Sequence, residues 1–247
     1  MLVLTKKRDW GLVLLLAPAL IYFLIYHIIP IFGMSMAFQD YRIIGKSPFV
    51  GLKHFRILFS SPAFFQVLRN TLIISFMKIV LYFPLPIIFA LMLNEVRSSF
   101  LRKFIQSTTY LPHFLSWVVI AGIWIAFLSP ANGGFNQLRE IFGLPSHDYM
   151  TDKSAIRWVL FSSETWRSVG WDSIIYLAAL TSISPSLYES ADLDGASALQ
   201  KMRFITLPEL VPTVVTVFIL NMGFFLNAGF DQVFNMMNDS VISVIDI

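Results

Sequence analysis

The chain contains no cysteine, which excludes disulfides, thiolate metal centres and a cysteine nucleophile. Its four histidines, His27, His54, His113 and His147, are scattered, with no HxxxH or HExxH spacing to hold a metal. Charge is scarce too: 13% of the 247 residues are Asp, Glu, Lys or Arg, against about 25% in an ordinary soluble domain. The net charge of +3 comes from basic residues spread between apolar blocks. No basic face or aromatic-interleaved basic run is available to track a nucleic acid. A complete phosphate-binding loop is lacking as well. Gly45-Lys46-Ser47 has the ending of one, but the upstream glycine it requires falls at Asp40, so the segment reads as a turn. No nucleophile, base and orienting group stand at a matched spacing, which leaves an integral-membrane enzyme unsupported.

What is present is apolar sequence, 56% of the chain, gathered in blocks of membrane-spanning length rather than alternating as in a soluble core. The blocks predict an all-α polytopic membrane protein with five spans, at about 10–38, 70–93, 108–128, 166–184 and 209–230. Prolines at 18, 30, 84 and 86 fall inside the first two, where a kink is tolerated. A polar stretch before the fourth reads as an interfacial lead-in. Lys6, Lys7 and Arg8 precede the first block, which continues past the cleavage-like Ala17-Pro18-Ala19. That pattern predicts a retained signal anchor with a cytoplasmic N-terminus. No linker, repeat or low-complexity segment appears, so residues 1–247 read as one membrane domain.

One connection, 186–208 between the fourth and fifth blocks, is polar but patterned. Pro185 stands where a helix begins, and Asp194-Gly195 breaks that helix. Gly195 tolerates backbone angles that other residues resist, and Asp194 is the expected cap of a second short helix near Ala196. Ala191, Ala196 and Ala198 keep the surface low, while Leu187, Leu193, Leu199, Met202 and Phe204 supply apolar anchors for a groove. An amphipathic helix lying on lipid would be rich in Lys and Arg. Here Glu189, Asp192, Asp194 and Glu209 outnumber Lys201 and Arg203.

The order Glu189, Ala191, Asp194, Gly195, Ala196, then Ile205, Leu207 and Pro208, resembles the EAA loop of binding-protein-dependent ABC importer permeases. Ser190 stands where that pattern usually has alanine. Trp166-Arg167-Ser168-Val169-Gly170 and Ile175-Tyr176-Leu177-Ala178-Ala179-Leu180 resemble the preceding span of sugar-type, maltose-transporter-like importers. Tyr110–Val119, Val50–Phe55 and Phe230–Phe234 are similar to the branch handling complex oligosaccharides and polysaccharides. The family core has six spans, so the resemblance implies that the last, C-terminal helix is missing from this chain.

The resemblance implies the transmembrane permease subunit of an ATP-driven importer, carrying a carbohydrate, an oligosaccharide, across the bacterial cytoplasmic membrane. Its implied partners are a cytoplasmic ABC ATPase dimer docked on the eight loop residues just named, a second permease subunit and an extracytoplasmic solute-binding protein. The chain itself would hold no cofactor, because ATP and Mg belong to the ATPase. A permease for another solute class and a truncated, non-transporting scaffold subunit are the rival readings.

Charges within spans are costly and mark functional candidates. Lys78 and Asp172 either line a wet translocation path or pair inside the bundle. Glu164 and Arg167, three residues apart, are placed to pair on one helical face. Trp171 and Tyr176 are candidate pathway aromatics, with Trp117, Trp124 and Trp166 beside them. Trp and Tyr also gather at membrane interfaces whatever the substrate.

Overall fold

A computed structural model describes residues 10–247; Lys6, Lys7 and Arg8 lie outside the described residues. Among those described, the architecture is helical, with a single antiparallel bridge, Gln39 to Phe49, as its only β pairing. The chain divides into two units between Phe64 and Phe65.

In the first unit, α1 (Trp10–Phe23) runs through a π turn, Leu24–Ile28, into α2 (Ile29–Gly33) and a 3₁₀ turn, Met34–Phe38. Val13–Phe38 is thereby one apolar helix long enough to cross a membrane. The π turn sits just ahead of Pro30, whose missing N–H cannot complete the regular ladder. A hairpin follows, and then α3 (Lys53–Ser60), whose His54 Nε2 lies 3.1 Å from the Gln39 carbonyl oxygen.

α4 (Pro62–Met77) leads into the second unit and continues through a π turn, Lys78–Tyr82, into α5 (Pro84–Asn94). Pro62–Asn94 is the second apolar helix of spanning length, starting ahead of the sequence expectation at 70. α6 (Ser99–Tyr110) and its 3₁₀ extension Leu111–Phe114 meet α7 (Trp117–Leu128) at a bend of 107°. The third expected block is therefore two helices at a break. Pro112 tightens the end of the first, and Ser116 caps the second by accepting from the Val119 N–H.

After α8 (Gly134–Ile141) comes α9 (Ile156–Thr181), a single 26-residue helix. It absorbs both the expected interfacial lead-in and the fourth block. α10 (Pro185–Leu193) and α11 (Ala198–Lys201) form the connection; a π turn, Met202–Thr206, then joins α11 to α12 (Leu207–Gly223), and α13 (Phe230–Met236) and α14 (Ile242–Ile245) follow. Ala198–Gly223 is the third apolar helix of spanning length, and it ends before the expected 230. Among the described residues, three helices can cross a membrane by length and composition, or four if the bent α6–α7 pair counts as one, against the five expected. α9 falls short because Arg157, Glu164, Arg167 and Asp172 punctuate it. Charges in a membrane helix are tolerated where they face the bundle interior and find partners there, as Glu164 does with Lys78 and Asp172 with Tyr82.

α9 is the hub of the second unit. Its Ile156, Val159 and Leu160 pack with Ile74 of α4, Ile120 and Leu128 of α7, and Val233 and Met236 of α13. Its Tyr176 and Leu180 pack with Ala90 of α5 and Leu210 of α12. At Gly170 the helix meets α6 so closely that an added methyl would lie 2.5 Å from the Thr109 carbonyl oxygen. Gly170→Ala is therefore expected to force α6 and α9 apart at a cost of about 1–3 kcal/mol. The check is a lower thermal midpoint in detergent, by roughly 2–4 °C per kcal/mol.

The 129–155 loop is held by polar contacts. Asn136, fully buried, donates to the carbonyls of Leu128, Ser129 and His147 and accepts from the His147 N–H. Asp152 accepts from the Ser154 hydroxyl and N–H, both at 2.7 Å, and its other oxygen lies 2.8 Å from His147 Nε2. The Ser154 hydroxyl first, then its N–H and His147, hold the Asp152 carboxyl down to about 2 from an ordinary 3.8. A depressed carboxyl contributes while ionised and stops contributing as pH falls through its folded value. Exchange protection of the Ser154 amide is thus expected to stay level from pH 7 to pH 4 and to fall only toward pH 2. Asp152→Asn would show the weakened protection already at pH 7.

Candidate functional site

Four of the sequence candidates converge on one cavity of about 670 Å³ in the second unit. Lys78, Trp171, Asp172 and Tyr176 all line it, with Tyr82, Glu164 and Asn221 supplying further polar wall and Ile79, Phe83 and Phe225 apolar wall. Local structure explains the aim of each side. Pro84 and Pro86 lack N–H donors, so the helix entering α5 widens into the π turn Lys78–Tyr82. Such insertions redirect side chains and concentrate at functional sites. On the opposite wall, α12 stops at Gly223, and the backbone unwinds through the 3₁₀ turn Phe225–Asn227. Ala228 and Gly229 then take left-handed angles, φ 50° and 84°, before α13 resumes. A non-glycine residue held at positive φ is uncommon and costs conformational energy. Ala228 is buried, so its packing holds it there.

Polar groups in the cavity are paired in a chain. Lys78 Nζ donates to Glu164 Oε2 at 2.9 Å, and the Ser168 hydroxyl donates to Glu164 Oε1 at 3.0 Å. The Tyr82 hydroxyl donates to Asp172 Oδ2 at 2.5 Å. Lys78 also crowds Gly229, where a side chain would collide with the ammonium group. Beneath this turn, Gln232 is fully buried and donates to the Leu160 carbonyl and the Ser163 hydroxyl, while its Oε1 has no partner.

The expected pairing of Glu164 with Arg167 does not form. Glu164 turns to Lys78, and Arg167 instead lies 4.8 Å from the Trp117 ring centre and donates to the His113 carbonyl. Both choices suit a buried setting, where an ammonium finds a carboxylate and a guanidinium stacks on an aromatic face. Trp171 is fixed by parallel stacking on His113, with ring centres 4.6 Å apart. Trp117, Trp124 and Trp166 do not line the cavity. Tyr82 escaped sequence reading. Its one available signal was position, a turn beyond Lys78 on the same helix face.

The patterned connection is a helix, a turn and a second helix. α10 begins with Pro185 at its first position. Its end is a double closure: the Ala196 N–H bonds the Ala191 carbonyl at 2.9 Å, and the Gly195 N–H bonds the Asp192 carbonyl at 3.1 Å. That pair is the Schellman arrangement, and it requires a left-handed residue between; Gly195 supplies it with φ 74°. The cap of α11 is Ser197, not Asp194. Ser197 accepts from the Gln200 N–H while the Gln200 side chain accepts from the Ser197 N–H, the reciprocal capping box. Asp194 is instead the C-cap of α10, just past Leu193, because the Schellman closure delays the next helix beyond Ala196.

Two further contacts lock the angle between the arms. Lys201 Nζ donates to Asp192 Oδ1 at 2.6 Å, and the Tyr188 hydroxyl lies 2.9 Å from Thr206 Oγ1. Leu193, Leu199 and Phe204 stand 90%, 74% and 70% exposed on this frame. Glu189 is exposed and makes no ion pair among the described residues. Ile205, Leu207 and Pro208 fall in and just after the π turn that feeds α12.

Residues 82–230 match the family model described as binding-protein-dependent transport system inner membrane component. The polygalacturonan/rhamnogalacturonan transport system permease protein YteP of Bacillus subtilis (strain 168) is 41% identical over 231 residues, covering 92% of this chain and 72% of that protein. Protein LplB of the same organism is 39% identical over 244 residues, covering 98% and 77%. A solved bacterial ABC transporter involved in the import of the acidic polysaccharide alginate has a chain that superposes with TM-score 0.90 at 40% identity, covering 98% of this chain and 82% of that one. The apolar helices, the helix-turn-helix connection and these matches agree: the chain is a multi-pass membrane protein and belongs to the family of binding-protein-dependent transport system inner membrane components.

Proposed function

We propose that this chain is the translocating subunit of an ATP-driven importer and that its cargo is an oligosaccharide. The observation that carries the proposal is the turn built on Gly195, which presents apolar side chains on a rigid, exposed frame between two helices. A membrane protein whose chain lacks a phosphate-binding loop must draw ATP energy from a partner, and a preformed protruding frame lowers the ordering cost of docking to one. Glu189, Ala191, Asp194, Gly195, Ala196, Ile205, Leu207 and Pro208 form the docking element. Glu189 gives a polar anchor, and the small residues allow close backbone approach. The occupant is a cytoplasmic ABC ATPase dimer that binds the ATP and Mg. With α9 crossing as the fourth span ahead of the loop, the N-terminus then also lies in the cytoplasm.

The cavity suits a sugar. Trp171 and Tyr176 offer aromatic area to the apolar face of a pyranose, while Asp172, Lys78 and Asn221 offer hydroxyl partners. The substrates named for the similar proteins, polygalacturonan or rhamnogalacturonan and alginate, support a carbohydrate over an amino acid or phosphate ester. One similar structure was solved with a pentasaccharide-bound periplasmic protein, which supports a solute-binding protein as the outer partner. A second permease subunit completes the pathway opposite this cavity. ATP can drive transport only if the ATPase grips the loop differently in the inward- and outward-facing states.

The test is ATP hydrolysis by the reconstituted assembly with its binding protein. Oligosaccharide-loaded binding protein is expected to raise turnover several-fold, and amino-acid or phosphate-ester loads to leave it at the basal rate. Stimulation by an amino acid alone would overturn the sugar assignment. An ATPase that fails to co-purify with the chain would overturn the docking assignment.

A further inference from the structure

The hairpin that follows the first apolar helix carries a feature that transport does not use. After Val13–Phe38, the backbone folds back: Asp40 N–H bonds the Pro48 carbonyl at 2.9 Å, and Val50 N–H bonds the Phe38 carbonyl at 2.8 Å. Arg42 N–H is tied to Ser47 Oγ at 3.1 Å, and Gly45 turns the tip with φ 101°. At that tip Ile43 and Ile44 are 91% and 90% exposed, and Tyr41 is 60% exposed. Two adjacent isoleucines held out by a hydrogen-bonded turn form an apolar projection that a soluble surface would not keep.

We infer that this hairpin is a membrane anchor, with Ile43 and Ile44 inserted among the lipid acyl chains at the end of the first span and Arg42 and Lys46 on lipid phosphates. The lipid follows from continuity: the hairpin starts one residue after the spanning helix ends, and its tip lies within about 15 Å of the bridge. The headgroup layer is roughly 5–8 Å deep on each side of the hydrocarbon, so the tip reaches through it. The composition agrees, because cations bracket the apolar pair and an aromatic precedes it, as at bilayer interfaces. The inference needs only that Val13–Phe38 spans the membrane. It stands independently of the cargo and of which leaflet the hairpin meets.

The experiment uses the absence of cysteine, which lets Ile43→Cys or Ile44→Cys carry a single environment-sensitive fluorophore. The full chain is placed in phosphatidylethanolamine–phosphatidylglycerol vesicles whose acyl chains are brominated near the carbonyl. Both labels are expected to emit blue-shifted and to be quenched at least about twofold by the bromines, with little quenching by aqueous iodide. Arg42→Gln with Lys46→Gln is expected to reduce the bromine quenching. Iodide quenching without a bromine effect would place the tip in water, and shielding from both quenchers would place it against protein. Either result overturns the inference.

Discussion

Gly195→Val is expected to lower ATP-driven uptake by roughly tenfold while the protein still inserts and packs normally. The reasoning is local. Gly195 holds φ 74°, and no neighbour lies within 4 Å of where a Cβ would sit. The penalty is therefore backbone strain alone, about 1–2 kcal/mol for a left-handed residue, and more for a β-branched one. Because the turn is exposed and outside both core clusters, that strain is relieved by opening the turn rather than by unfolding the bundle. The docking conformer then becomes a minor species, and apparent ATPase affinity falls with its population; about 1.4 kcal/mol is tenfold. Gly195→Asn separates the causes, since asparagine tolerates the left-handed region. It should retain more uptake than valine although its side chain is of similar size. Equal loss in both variants would show that surface bulk, not the Schellman geometry, is what the partner senses. Full uptake by the valine variant, with ATPase still bound, would sink the coupling role.

How much of this was legible in the sequence depended on whether the determining contacts were local. The Gly195 turn could be read because its requirement is written in one residue and its neighbours. The cap could not. Asp194 and Ser197 are both capping residues three positions apart, and only the six-residue closure from Ala196 back to Ala191 decides between them. The apolar blocks gave the first, second and last long helices, because lipid demands continuous apolar length. They missed the break at 115–116, where Pro112 and Ser116 interrupt a run that stays apolar, and they carried the last block past Gly223 because Phe224, Phe225 and Leu226 continue it. The cavity shows the same division. Lys78 and Asp172 stood out as charges in apolar surroundings. Their partners did not, because Glu164 is 86 positions from Lys78 and Asp172 is 90 from Tyr82. The local alternative, Glu164 with Arg167, was the natural choice and gave way to tertiary packing.

Breaking the Lys78–Glu164 pair is expected to have the largest effect on stability. Both side chains are largely enclosed, 26% and 15% exposed, and Glu164 is further held by Ser168. Removing one partner leaves the other charge buried without compensation, a loss of about 3–5 kcal/mol in such settings. Lys78→Met and Glu164→Gln should each lower the thermal midpoint in detergent by roughly 6–20 °C at 2–4 °C per kcal/mol. The double variant should recover most of that loss, since neutral groups of similar shape replace a pair whose own net contribution is small. Uptake then distinguishes the two roles open to Lys78. If the stable double variant transports normally, the pair only holds the π turn of α4–α5 against α9. If it is stable yet transports poorly, the charges act on the cargo or on the movement of the Ala228–Gly229 turn, against which Lys78 is packed. Single variants as stable as the parent would show that the ion pair does not bind these elements together, and the cavity wall would then have to rest on the α5–α9–α12 packing around Tyr176.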